Sequence, residues 1–162
     1  MLTTAQKVIV KAYVEADGTL NQIPHTADGA DAIAQAFKVI AAPPFVVWKS
    51  NVTIAEVGRA IVATGLTSLT TANTSRLGVF AQLNPEGLDP ARIDHRTALD
   101  DIFSVASGTS TRDALLALYK RSANILEKIL ATGTGSDASP ATMGFEGSVG
   151  YTEIASAMGW SV

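Results

Sequence analysis

His95 stands in Asp94-His95-Arg96 with Asp100 and Asp101 close behind, residue types from which a general base or a metal site can be built. A metal site usually gathers more than one imidazole or thiolate. The only other histidine, His25, falls in an unrelated polar stretch, and the chain has no cysteine. A solvated helix start, with acidic side chains complementing the macrodipole, accounts for the cluster more simply. Gly133-Thr134-Gly135 invites a phosphate-loop reading, but dinucleotide-binding glycines follow a strand and open a helix. These follow a helical pattern and open a loop, and no Gly-Lys-Ser/Thr accompanies them. No serine sits in a nucleophile-elbow pattern, and no carboxylate pair is singled out by an apolar setting. The expectation is a protein that is not an enzyme, with no cofactor and no metal.

Nucleic-acid binding has two candidate carriers. A helix three, Gly65 and helix four read as helix-turn-helix would aim Thr70, Thr71, Asn73 and Arg76 at a groove, with one positive charge among them. The inner face of that second helix should be apolar where Thr71 and Thr74 stand, so two packed core helices are the better account. Arg112, Lys120, Arg121 and Lys128 could form a basic stripe, but Glu127 interrupts it and a solvated outer face explains such charges without a partner. The net charge of −3 also argues against a general polyanion-binding surface.

The elements that would position these residues are mainly helical. Ser110 and Asp113 have capping-box spacing, and Leu116, Tyr119, Ala123, Leu126 and Leu130 then recur at three- and four-residue steps, flanked by Leu115, Ile125 and Ile129. Gly133 supplies a stop. The pattern predicts one helix over about 110–131, roughly 30 Å long at ~1.5 Å per residue, along which the other helices pack. A first helix runs from a Thr3 or Thr4 cap to about Ala16, with Ala5, Ile9, Ala12, Tyr13 and Ala16 on its inner side, and Asp17-Gly18 ends it. Asp28 can cap a second, in which Ala30, Ile33, Ala34, Phe37, Ile40 and Ala41 share a face before Pro43-Pro44. Phe45-Val46-Val47-Trp48 favours an extended segment.

Thr53 and Glu56 have capping-box spacing while Val52 and Val57 sit where a hydrophobic staple puts them, so a third helix starts at Thr53 and runs to about Thr64, with Gly65 as its breaker. Leu66 to Leu69 connects it to a fourth over about 70–83, turning Leu77, Phe80 and Ala81 inward. Asn84-Pro85-Glu86-Gly87 is turn chemistry, and Asp89-Pro90 precedes a short helix around Thr97 to Phe103. Ser104 to Thr109 links that helix to the long one.

With 162 residues, 47% apolar, one domain with its own core is expected. Without cysteine that core has no disulfide to reinforce it. Ala, Thr and Gly are abundant and only two Trp and five Phe serve as large anchors. No apolar run approaches the ~20 residues a bilayer crossing needs, and the N-terminus lacks the pattern of a signal peptide, so no membrane and no export are expected. After Gly133 the composition changes. Thr134 to Ser139 offers nothing to a core, Met143 to Gly147 looks extended, and a last short helix from about Thr152 to Met158 can dock Ile154 and Trp160 on this chain or a neighbour. The expected fold is mostly α: a compact helical bundle over residues 1–133 around the long helix, with a C-terminal arm over residues 134–162 that contacts neighbouring subunits.

Several stretches resemble a family of small proteins of tailed bacteriophages: Phe45-Val46-Val47-Trp48, Ile54-Ala55-Glu56-Val57-Gly58, Leu66-Thr67-Ser68-Leu69 leading to Arg76, and Lys120-Arg121-Ser122-Ala123 with Glu127. The sharpest likeness lies in Ala131-Thr132-Gly133-Thr134-Gly135-Ser136-Asp137-Ala138-Ser139-Pro140-Ala141-Thr142 and the following Gly144-Phe145-Glu146-Gly147. Relatives often carry an aromatic where this chain has Leu77, which bears on packing detail. The resemblance implies a structural virion protein assembled in the host cytoplasm, most simply a head-to-tail connector (adaptor, neck) subunit in a homo-oligomeric ring between portal and tail. A tail-tube, tail-terminator or minor tail protein is the alternative within that class, and a small helix-turn-helix DNA-binding regulator the alternative outside it. On the connector reading Phe145, Glu146, Tyr151, Ile154, Met158 and Trp160 are the subunit-interface candidates, since a chain end that buries nothing at home can bury something next door.

Overall fold

The structure is a computed structural model that describes residues 1–61, 63–67, 69–104 and 109–161. The fold is mostly α, as expected. In chain order the described elements are α1 (Thr4–Ala16), a 3-10 turn (Leu20–Gln22), α2 (Ala27–Phe37), β1 (Val46–Trp48), α3 (Ile54–Ala60), α4 (Ala63–Thr67), α5 (Thr71–Leu83), α6 (Ile93–Ile102), α7 (Thr109–Leu118), β2 (Lys120–Ser122), α8 (Ile125–Leu130) and α9 (Tyr151–Met158). They form two compact units, Met1–Val47 together with the chain from Ser122 onward, and Trp48–Arg121. The division into a 1–133 body and a 134–162 arm therefore does not hold. The chain passes between the units in β1 and β2, which pair as a two-stranded sheet.

The single long helix is the largest correction. Its pattern is cut by β2, and Asn124 then starts a new helix: its side chain accepts from Glu127 N at 2.8 Å while Glu127 Oε2 accepts from Asn124 N at 3.0 Å. That reciprocal cap satisfies donors that a continuous helix would have bonded elsewhere. The apolar stripe is correspondingly shared out. Leu115 and Tyr119 belong to the core of the second unit, Leu126 and Leu130 to that of the first, and Ala123 to a small cluster with Val47 and Ala141. Ser110 lies inside α7 rather than ahead of it, and Val105 to Gly108 of the expected linker lie outside the described residues.

In the first unit Thr3 and Gln6 close a capping box on α1, and Val10 and Val14 are buried. α1 is turned relative to expectation: Ala5, Ile9, Ala12 and Ala16 face outward with Val8, and only Tyr13 of the predicted face packs on the core. The face that turns inward is the one that meets α8 and α9. Thr26, not Asp28, caps α2 by accepting from Gly29 N at 3.1 Å. Gly29 is needed there, since a Cβ would lie 1.9 Å from the Pro24 carbonyl oxygen. α2 stops at Phe37, so Ile40 is 58% exposed, while Ile33, Ala34 and Phe37 are buried as expected.

The segment after Gly133 is built into the first unit. Thr132 and Thr142 exchange backbone hydrogen bonds of 2.8 and 2.9 Å, the Gly135 carbonyl accepts from Val46 N at 2.7 Å, and Ala141 N donates to Val46 O at 2.9 Å. Gly135, at φ +67°, rests against the Phe45 ring, where a Cβ would come within 2.2 Å of a ring carbon. The loop thus has a seat, given by backbone pairing rather than by its own side chains. α9 packs on α1 and α2 and buries Ile154, Ala155 and Ala157.

In the second unit the Thr53–Glu56 capping box forms as expected, and Val52 and Val57 are both buried. α3 nevertheless ends at Ala60, and Gly65 is not a breaker but a buried residue of α4. A Cβ on it would meet the Thr111 hydroxyl at 2.1 Å. Of the predicted Leu66–Leu69 connection, Ser68 lies outside the described residues. Thr70 caps α5 by accepting from Asn73 N at 3.2 Å. α6 starts at Ile93, earlier than expected, and buries Leu99 and Ile102.

Candidate interaction surface

The six residues expected at a subunit interface do not form one surface. Ile154 is fully buried, and Phe145, Met158 and Trp160 are half-buried against the core of their own unit. Tyr151 is 46% exposed, and Glu146 is exposed as well. The C-terminal segment is tied down by Leu2 N donating to Glu153 Oε1 at 2.8 Å, Gln6 Nε2 to the Gly144 carbonyl at 2.7 Å, and Lys7 Nζ to Ser156 Oγ at 2.7 Å. Trp160 stacks on His25 with ring centroids 4.4 Å apart. What sequence reasoning took for apolar surplus is α9's half of a helix–helix contact. The missing signal was α1's true inward face.

His95 has a local task. Its Nδ1 accepts from Asp89 N at 3.1 Å, and its ring meets Phe80 edge-on at 5.9 Å, which fastens the turn before α6 to α5. Asp94 pairs with Arg92, whose hydrogen bond holds that carboxyl below the usual range. Among the described residues no three His, Cys, Asp or Glu side chains are grouped so as to hold a metal ion. The helix-turn-helix candidates are also engaged locally: Thr70 caps α5, and the Asn73 amide donates to the Ile102 carbonyl at 2.9 Å. The supposed basic stripe is dispersed, with Arg112 on α7 paired to Asp100, Lys120 and Arg121 on β2, and Lys128 on α8 lying 5.9 Å from the Phe45 ring centroid.

The surface that stands out is α5. None of its thirteen residues is buried. Its large apolar side chains, Leu77, Val79, Phe80 and Leu83, spread over an arc of roughly 160°, of which the core covers one edge. Leu77 and Phe80 lean on the core of the second unit, above an apolar void of about 110 Å³ that they line with Val57, Ile61, Leu88 and Leu99. Val79 and Leu83 stay 55% and 75% exposed along a groove of about 560 Å³ against α6, walled by Phe80 and Ile102 and edged by Arg76 and Asp101. In the first unit the outer stripe of α1 is another uncovered apolar helix face, with Val8 65% and Ile9 44% exposed between Ala5 and Ala12. Apolar side chains left wet along a helix face mark places where another surface can bind.

Among the described residues no helix is long and apolar enough to cross a membrane. No family model matches the chain, and neither a curated protein nor a solved structure matches it.

Proposed function

We propose that this chain is a structural protein of a tailed-bacteriophage virion, a head-to-tail connector subunit that assembles with copies of itself into a ring between portal and tail. The phage assignment rests on the sequence resemblance from Phe45 onward. The observation that carries the structural role is α5, a helix of thirteen residues that buries none and leaves Val79 and Leu83 open along an apolar groove. A ring subunit needs two different contact patches, because each copy meets its neighbours head to tail. The groove beside α5 and the outer stripe of α1 supply two candidates, one on each unit.

Size-exclusion chromatography with light scattering, or native mass spectrometry, tests the self-assembly. The wild-type chain is expected to form a closed oligomer, and Leu83→Asp to give a monomer with unchanged helical content by circular dichroism. A wild-type chain that stays monomeric at high concentration overturns the ring. Mass spectrometry of purified particles tests the virion assignment separately: a stoichiometric protein supports it, and absence from the particle overturns it.

A further inference from the structure

The groove between α5 and α6 is concave and largely apolar, and it has a direction. At one end the Asn73 amide on the Ile102 carbonyl joins the start of α5 to the end of α6, and Arg76 and Asp101 stand beside that junction. Toward the other end, where α5 stops, its wall is Val79, Phe80 and Leu83. A second groove does not fill this one, because two concave surfaces leave the space between them empty. A helix ridge does fill it.

α1 offers such a ridge. Val10 and Val14 are buried in the core of the first unit, which holds the opposite face outward, with Val8 and Ile9 standing among the exposed Ala5, Ala12 and Ala16. This ridge has a direction too: its N-terminal end is apolar, while Glu15, ion-paired with Lys11 at 3.7 Å, brings charge to the other. The spacing on the two helices then matches. Arg76 and Leu83 are seven residues apart on one face of α5, and Val8 and Glu15 are seven apart on one face of α1. Seven residues make about two turns, roughly 10 Å along either axis. With α1 antiparallel to α5, one placement brings Glu15 level with Arg76 and Val8 level with Leu83, and sets Ala12 level with Val79, small against large. The parallel placement instead lays the Glu15 carboxylate over Leu83, where it loses water and gains no partner.

We propose that the occupant of the groove is α1 of a second copy of this chain, seated antiparallel to α5 with Val8 packed on Leu83 and Glu15 paired with Arg76. The proposal rests on the self-assembly reading given above and names its contact. Each copy uses its groove toward one neighbour and its α1 toward another, which is the head-to-tail arrangement a ring requires.

The chain has no cysteine, so introduced thiols report without background. Val8→Cys and Leu83→Cys are made as separate full-length variants, mixed in equal amounts where the wild-type chain assembles, oxidised, and separated without reductant. A disulfide forms only where two Cβ atoms come within ~4.5 Å. The mixture is expected to give at least tenfold more linked dimer than either variant alone. Should either substitution itself stop assembly, Ala12→Cys with Val79→Cys probes the same register. A dimer of equal yield from Leu83→Cys alone would place a second groove there, and one from Val8→Cys alone a second α1 stripe; either result overturns the pairing. The charge contact is read separately. Arg76→Glu should raise the protein concentration at half-assembly several-fold, and Glu15→Lys in the same chain should restore it; no restoration overturns the register. A wild-type chain that assembles while no mixed pair links overturns this contact and leaves self-assembly standing, whereas a wild-type chain that stays monomeric overturns both.

Discussion

α2 and α5 have nearly the same length and opposite fates. α2 buries five of its eleven residues in the first unit; α5 buries none of its thirteen in the second. The difference is written in spacing. Ala30, Ile33, Ala34 and Phe37 fall on one face at steps of three and four, so a single neighbouring surface satisfies them all. Leu77, Val79, Phe80 and Leu83 spread over an arc of roughly 160°, wider than the α2 stripe, and the core reaches only its Leu77–Phe80 edge while Val79 and Leu83 stay wet. A helix of the first kind exists to close a core. One of the second kind holds apolar surface in reserve, and the proposed ring contact is a use for it.

The largest effect expected from this contrast comes from removing α9. Deleting the chain from Gly135 uncovers Val10, Val14, Ile33 and Phe37 at once, each a side chain whose full burial contributes ~1.5–3 kcal/mol. A sum of that order exceeds much of a domain's total stability of ~5–15 kcal/mol. The truncated protein should therefore lose the helical signal of the first unit in circular dichroism. Full retention of that signal would return the C-terminal segment to the role of an arm.

Single side chains sharpen the same comparison. Phe37, buried and 5.9 Å from the Tyr13 ring by centroids, should cost ~3–5 kcal/mol when replaced by alanine. Phe80 is half-buried between a void and a groove, so less contact is lost there and less than ~2 kcal/mol is expected for Phe80→Ala. Chemical denaturation of the two variants measures the difference. Equal losses would mean that α5 is seated as firmly as α2.

The local signals legible in the sequence were those set by short-range chemistry. The Thr53–Glu56 cap, the Val52–Val57 staple, the Thr70 start of α5 and the inward face of α2 all follow from residues within one or two turns. The break at Lys120–Ser122 was not legible, because an uninterrupted helical period ran through it. Only pairing with Val46–Trp48, more than seventy residues away, made a strand preferable. α1 misled for a related reason: Ala5, Ile9, Ala12 and Ala16 form as regular a stripe as Leu2, Val10 and Val14 do, and which one turns inward depends on α9. The Arg112–Asp100 ion pair joins α7 to α6, but the sequence pattern carries that helix more than ten residues past its end at Leu118, so α7 and α6 could not be set side by side from spacing alone.

The smallest expected effect separates two caps that look alike in sequence. Glu127 is 2% exposed and uses both oxygens, Oε2 accepting from Asn124 N at 3.0 Å and Oε1 from Gly147 N at 3.1 Å. Replacement by glutamine turns an NH₂ toward one of those donors whichever way the amide is set, so Glu127→Gln should destabilise by ~1–3 kcal/mol. Glu56 is half-buried and caps with one oxygen, Oε2, so glutamine can do its work, as Gln6 already does for Thr3 at 2.8 Å. Glu56→Gln should stay within the scatter of surface substitutions. What it should remove is a pH dependence. The Thr53 backbone N–H, followed by the Thr53 hydroxyl, holds the Glu56 carboxyl below its ordinary value. A carboxyl lowered by folding contributes its stability above its unfolded pKa and loses it as pH falls through the folded one. Wild-type chain and Glu56→Gln should therefore differ in the slope of denaturation midpoint against pH only in the acid range, converging as the carboxylate is protonated. A difference that persists unchanged below that range would mean that Glu56 acts through something other than its charge.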